Sequence, residues 1–268
     1  MNNKPIGVFD SGIGGLTVLK EIFDALPRES TLYLGDTARV PYGIRSAETV
    51  TRYSFENTDF LVACGIKALV VACNTASAVS LDKIKERLDI PVIGVIEPGS
   101  KAAVRATRNK RIGVIGTEAT IDSSAYARTI KAIDSTIDVI GLPCPLFVPL
   151  VEEGLADSEI AVMVAERYLS GMKNRGIDTL VLGCTHYPLL KGVISRVMGE
   201  GVTLIDSAVE TVREIKDVLI RTGMERNSHT LPLRRFYVTD APERFIRVGE
   251  RFLGQRIDDI EKIDVGGY

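Results

Sequence analysis

The chain has 268 residues, with 33 Lys+Arg against 35 Asp+Glu and a net charge of −2. It is 45% hydrophobic and 25% charged. That balance excludes a disordered chain, and it excludes a binder of nucleic acid or anionic membrane that works through a positive patch; it leaves apolar material for about two packed domains.

The N-terminal segment MNNKPIGVFDSGIGG holds only a short apolar run, too short for a signal-peptide core. No run approaches the ~18 apolar residues of a membrane-spanning helix. The expectation is a cytoplasmic protein whose Cys64, Cys73, Cys144 and Cys184 are thiols. With no C-x-x-C pair and two histidines, no metal site is expected.

In chain order, IGVFD (6–10) reads as a buried strand and LTVLKEIFDAL (16–26) as a helix. TLYLGD (31–36) is a strand, followed by the loop TARVPYG and a helix over 46–63. ALVVACN (68–74) is an almost continuous apolar strand, a helix covers 75–88, and PVIGVI (91–96) is the next strand. The pattern then restarts. RIGVIGTEATI (111–121) is a strand running into a polar turn, with a helix over 121–133 and a strand at TIDVIGLP (136–143). CPLFVPLVEEG leads to a helix over 157–173, DTLVLGCTHYP (178–188) is a strand entering a turn, and VTLIDS (202–207) precedes a helix to about 222. RRFYVTD and PERFIRVGERFLG add a strand and a helix. Apolar strands alternating with amphipathic helices predict an α/β protein with mostly parallel sheets flanked by helices.

The restart reads as a duplication. IGVFDSG aligns with IGVIGTE, and ALVVACNTAS with TLVLGCTHYP. Asp10 to Cys73 spans 63 residues and Thr117 to Cys184 spans 67. The expectation is two similar domains related by a pseudo-two-fold axis with the active site between them. Residues 1–97 plus 207–268 carry Cys73, residues 98–206 carry Cys184, and EPGSKAAVRAT forms the crossing.

Each repeat sets a cysteine at the end of a buried strand, where open α/β sheets bind ligands. Small and hydroxyl residues follow each one and can open a helix, whose free N–H groups favour a thiolate or a carboxylate. One buried thiol alone is most often a core residue; two at matching repeat positions suggest paired chemistry. A substrate between the domains would meet a thiol on each face. One thiolate removes a proton from carbon and the other thiol returns one to the opposite face, inverting the centre without a cofactor.

The segments VFDSGIGG, GDTARVPYG, VVACNTAS, CPLFVPLVEEG and LVLGCTHYPLL closely resemble the glutamate racemase family of the cofactor-independent aspartate/glutamate racemase superfamily. The resemblance runs through both halves. It implies that Cys73 and Cys184 are the acid/base pair, Cys73 facing the D-enantiomer and Cys184 the L-enantiomer. It implies that Asp10 assists Cys73, that His186 and Glu152 assist Cys184, and that Asp36 is a weaker candidate. Glu153 stands beside Glu152 and leaves that choice open. Asp10, Ser11, Tyr42, Gly43, Asn74, Thr75, Thr117, Thr185 and His186 are the implied substrate ligands, with Thr117 read as the repeat mate of Asp10. The substrate would be glutamate, the product D-glutamate for peptidoglycan, the assembly a homodimer, and neither cofactor nor metal is expected.

Other roles compete. Asp10 could instead cap the helix after Gly15. DSGIGG lacks the third glycine of a dinucleotide loop, Thr17 standing there, and lacks the P-loop Gly-Lys, so its glycines read as letting backbone approach a small anion. Cys64 reads as a core residue on a helix, Cys144 as structural and His229 as a surface loop residue. A two-lobed binding module is the alternative class; it gives no reason for a thiol in each lobe. Cys184 with His186 is too sparse for a metal site.

Overall fold

Continuous Val, Ile and Leu runs can be buried on both faces only if helices cover both sides of a parallel sheet. The computed structural model, which describes residues 2–266, has that arrangement twice. In the first half, β1 (Ile6–Asp10), α1 (Leu16–Ala25), β2 (Thr31–Gly35), α2 (Ala47–Ala63), β3 (Ala68–Val71), α3 (Asn74–Lys85), β4 (Val92–Gly94) and α4 (Ile96–Ala106) follow one another. The second half runs through β5 (Arg111–Gly116), α5 (Glu118–Asp122), α6 (Ala125–Ile133), β6 (Asp138–Pro143), α7 (Phe147–Glu152), α8 (Glu159–Asn174), β7 (Thr179–Gly183), α9 (Lys191–Met198) and β8 (Thr203–Asp206). The tail comprises α10 (Ser207–Thr222), β9 (Arg234–Val238), α11 (Pro242–Leu253) and β10 (Ile260–Lys262).

The first sheet has the order β10-β9-β2-β1-β3-β4 and the second β6-β5-β7-β8. Every strand pair is parallel. The core order β2-β1-β3-β4 is therefore repeated as β6-β5-β7-β8. Register repeats too: Ile6 pairs with Ala68 as Ile112 pairs with Thr179. This ladder makes Asp10 equivalent to Gly116 and Ser11 equivalent to Thr117, which corrects the reading of Thr117 as the mate of Asp10.

β1, β2, β3 and β7 are buried at every position. α1 turns Leu16, Val18, Leu19, Ile22 and Phe23 inward, and each fully buried Leu or Ile contributes about 1.5–3 kcal/mol. One core cluster runs from Ile6 and Leu19 through Val212 and Ile215 of α10 to Phe147 and Leu180. The two sheets thus share apolar packing.

Two local readings change, and the crossing takes a defined form. EPGSKAAVRAT is largely the helix α4, packed on α6 and α10. The helix over 121–133 is two, because Ser124 takes a left-handed conformation with φ 55° between α5 and α6. Cys64 is not core: it stands exposed at the C-cap of α2. Cys144 is buried and His229 is exposed. Among the described residues no helix is long and apolar enough to cross a membrane.

Candidate active site

β3 ends at Val71, and Cys73 then takes extended backbone angles and caps α3. The Ala76 N–H donates to its Sγ at 3.5 Å, and the Ser11 hydroxyl lies 3.6 Å away. Cys73 is 5% exposed. Burial, reinforced by the nearby charge of Asp10, pushes its thiol up to about 12 against the donors Ala76 and Ser11. The helix terminus alone would favour a thiolate; here desolvation works against it and raises the pKa.

Asp10, fully buried at the end of β1, accepts the Gly12 N–H at 3.0 Å through Oδ2. It does not cap α1, which begins after Gly15 without a side-chain cap. Burial raises its carboxyl pKa, opposed by His186 and by the N–H groups of Gly12, Gly15 and Ser11. Its Oδ1 has no partner among the described residues, nor has the buried Asn74 Nδ2. The Asn74 carbonyl oxygen accepts the Tyr126 hydroxyl at 2.7 Å. A buried acceptor and a buried donor thus flank Cys73, suited to an ammonium and a carboxylate.

After β7 the turn Cys184-Thr185-His186 precedes a short 3₁₀ turn, Tyr187–Leu190. Pro188 sits in its first turn, so the helix starts later than it does after Cys73. Cys184 Sγ lies 3.9 Å from His186 Nδ1, and His186 Nε2 lies 3.1 Å from Glu152 Oε1. Burial works against protonating His186, but its contacts with Cys184 and Glu152 prevail and raise its pKa to about 10. Burial would raise the Glu152 pKa; His186 and Arg244 instead hold it below the ordinary value. Arg244 donates to Glu152 Oε2 at 3.0 Å, and Arg251 donates to the Glu152 carbonyl at 2.8 Å. Glu153 is exposed and only approaches Arg244, at 3.8 Å, so Glu152 is the carboxylate on His186.

Besides the shared apolar core, the two halves meet through polar contacts near the thiols. The Thr17 hydroxyl donates to the Thr185 carbonyl at 2.9 Å. Thr75, Thr117 and Thr120 share hydroxyl contacts of 2.9–3.1 Å. Gly14 is pressed against Thr185 and His186: a Cβ there would lie 2.2 Å from Thr185 Oγ1. A Cβ on Gly43 would lie 2.6 Å from Thr117 Cβ, and one on Gly15 2.5 Å from Asp10 Cβ. Gly14 and Gly15 of DSGIGG are therefore needed for close packing, Gly15 against Asp10 and Gly14 across to Thr185 and His186.

Asp36 and Tyr42 are tied to each other. The Tyr42 hydroxyl donates to Asp36 Oδ2, which also receives Arg39 Nε at 2.7 Å, and Thr239 donates to Asp36 Oδ1 at 3.0 Å. Asp36 thus accepts three hydrogen bonds and anchors the VPYG loop. With its hydroxyl engaged, Tyr42 offers the site its backbone, next to Gly43. Asp10, Ser11, Cys73, Asn74 and Thr75 gather at the ends of β1 and β3, Cys184, Thr185, His186 and Glu152 at the end of β7, and Thr117 bridges to Thr75. Arg244 and Tyr126 were missed. Each lies far in sequence from the group it holds, and no motif marks either.

A cavity of about 360 Å³ opens between the VPYG loop and α5, lined by Gly43, Arg45, Thr75, Glu118 and Asp122 among others. Among the described residues no group of three His, Cys, Asp or Glu side chains could hold a metal ion.

The glutamate racemase of Geobacter metallireducens is 56% identical over 267 residues, covering 98% of this chain and 97% of that protein. The crystal structure of a glutamate racemase isoform from Bacillus anthracis matches with TM-score 0.95 at 43% identity over 98% of each chain. That of the Francisella tularensis glutamate racemase, in complex with D-glutamate, matches with TM-score 0.95 at 40% identity over 100% of each. The Asp/Glu/Hydantoin racemase family model matches residues 6–215. With the fold repeated twice and a thiol at each matching strand end, the chain belongs to this racemase family.

Proposed function

We propose that this protein is a glutamate racemase that interconverts the L- and D-enantiomers by two-thiol proton transfer. The observation that carries this is the pair of buried thiols, Cys73 and Cys184, at equivalent ends of β3 and β7. Relatives alike over the whole chain are glutamate racemases, and one was crystallised with D-glutamate. The buried Asp10 Oδ1 and Asn74 Nδ2 suit a zwitterion's ammonium and carboxylate.

In the proposed reaction D-glutamate loses its Cα proton to the Cys73 thiolate, and the Cys184 thiol gives a proton to the opposite face. Asp10 assists Cys73. His186, held by Glu152, supplies a positive charge beside Cys184 whenever its sulfur is anionic. The reverse direction exchanges the two roles. Hydroxyls and N–H groups from Ser11, Gly43, Asn74, Thr75, Thr117 and Thr185 hold the carboxylates. Excluding water strengthens each of these interactions as the carbanion develops. The same reading makes residues 1–97 plus 207–268 one lobe and 98–206 the other. It describes a cytoplasmic homodimer that needs no cofactor and supplies D-glutamate for peptidoglycan.

The test is cofactor-free racemisation of each enantiomer, followed by circular dichroism, for the wild type and for Cys73→Ser and Cys184→Ser. Turnover in both directions, reduced at least a thousandfold in either variant, supports the proposal. Full activity in either variant removes the two-thiol mechanism. Activity with aspartate and none with glutamate changes the substrate.

A further inference from the structure

His186 and Glu152 come from the second half of the chain, yet α11, in the tail that adds β9 and β10 to the six-stranded sheet, reaches over to hold both. Arg244 donates to Glu152 Oε2 at 3.0 Å while Glu152 Oε1 meets His186 at 3.1 Å, so the carboxylate is fixed at both oxygens. Arg251 donates to the Glu152 carbonyl at 2.8 Å, and the Phe252 ring meets the His186 ring edge-on at 5.4 Å. The relay thus runs Arg244, Glu152, His186, Cys184. We propose that Arg244 is a positioning residue for the Cys184 half of the reaction, locking Glu152 in the orientation that presents His186 to the sulfur. This rests on the racemase reading for its catalytic meaning and on the contacts alone for its geometry.

The charged or titratable neighbours are few. His186 faces Cys184, Glu152 and, at longer range, Asp10. Glu152 faces His186 and Arg244, and Arg244 also approaches Glu153 at 3.8 Å. Two opposed effects follow from removing Arg244. Loss of its positive charge would favour imidazolium; loss of the Glu152 orientation would disfavour it. The Glu152 contact is direct and largely buried, whereas the Arg244 side chain is 44% exposed and does not touch the ring, so orientation prevails.

The chain has only two histidines. A His229→Gln background therefore leaves one imidazole to follow by proton NMR, since His229 is an exposed residue outside the site. In that background Arg244→Gln is expected to move the His186 titration about one pH unit toward acid and to lower kcat about tenfold. Arg244→Lys, which keeps the charge and one donor, is expected to recover turnover to within about threefold of wild type, and Glu153→Gln to leave both readouts unchanged. A His186 titration in Arg244→Gln that stays in place or moves toward alkali, or turnover within twofold of wild type, overturns the proposal. A wild type that ignores glutamate while Arg244→Gln still shifts His186 toward acid upholds the positioning contact and counts against the racemase reading.

Discussion

His186 lies between a thiol and a carboxylate, and its raised pKa follows from those two contacts prevailing over burial. Its charge stabilises the fold in full below its ordinary value of 6.5, and that contribution is lost as pH rises through about 10. Activity is expected to fall over the same alkaline range. The substrate ammonium titrates in that range as well, so Glu152→Gln is the discriminating variant. Without that carboxylate the His186 limb of the kcat/KM profile should move about 1–2 pH units toward acid, whereas a limb set by the substrate would stay. Gly14 has a similarly sharp role. Gly14→Ala would force Thr185 and His186 aside, and a displacement on the order of 1 Å costs about a hundredfold in turnover. Steady-state kinetics on a variant with wild-type circular dichroism checks this. Residues at strand ends were legible in the sequence because a buried apolar run announces its own terminus, as at Asp10, Cys73 and Cys184. Arg244 and Tyr126 were not, because each reaches the site by tertiary packing from a helix whose pattern records only which face is buried.

The element that matters most for the chemistry is α3, whose first turn is capped by the Cys73 sulfur. Oxygen caps helices better than sulfur, so Cys73→Ser should leave stability within about 1 kcal/mol of wild type, or higher, while abolishing racemisation. Urea denaturation of that variant measures it, and a loss of several kcal/mol would give the thiol a packing role instead. The second repeat lacks this device, since His186 and not Cys184 stands at the N-cap of the turn that follows. That asymmetry was hidden in the sequence, where both cysteines precede polar residues; Pro188 was the available signal. The repeat was more legible, since the duplicated spacing implied equivalent β3 and β7. The short elements were not: α7 and β10 are 6 and 3 residues long, too short for a periodic pattern to declare itself. The turn at Ser124 depends on a left-handed residue that nothing in SSAYA requires.

Across the whole molecule, the site is sealed. Cys73 and Cys184 are 5% and 6% exposed, and Asn74, Thr75, Thr185 and His186 are buried with them. On the racemase reading, glutamate, with one ammonium and two carboxylates, needs the halves to part. The contacts that must loosen include Thr17 to Thr185, Tyr126 to Asn74, the threonine cluster, and the hold of Arg244, Arg251 and Phe252 on Glu152 and His186. The cavity beside Gly43 and Arg45 reaches Thr75. Thiol alkylation followed by peptide mass spectrometry reads this opening. Exposed Cys64 should label at least about tenfold faster than Cys73 and Cys184, and saturating glutamate should protect those two and leave Cys64 unaffected. Equal labelling of all three would mean that the site stands open.

The most direct measurement of the two-thiol claim is racemisation in heavy water, started separately from D- and L-glutamate and followed by mass at Cα. The account predicts that each inverted product carries one solvent deuterium at Cα, while the remaining substrate keeps its protium at early times, because the thiol that removes a proton is not the one that returns it. Inverted product that retains the original protium, or equal early deuterium in substrate and product, would mean that one group serves both faces and would contradict it.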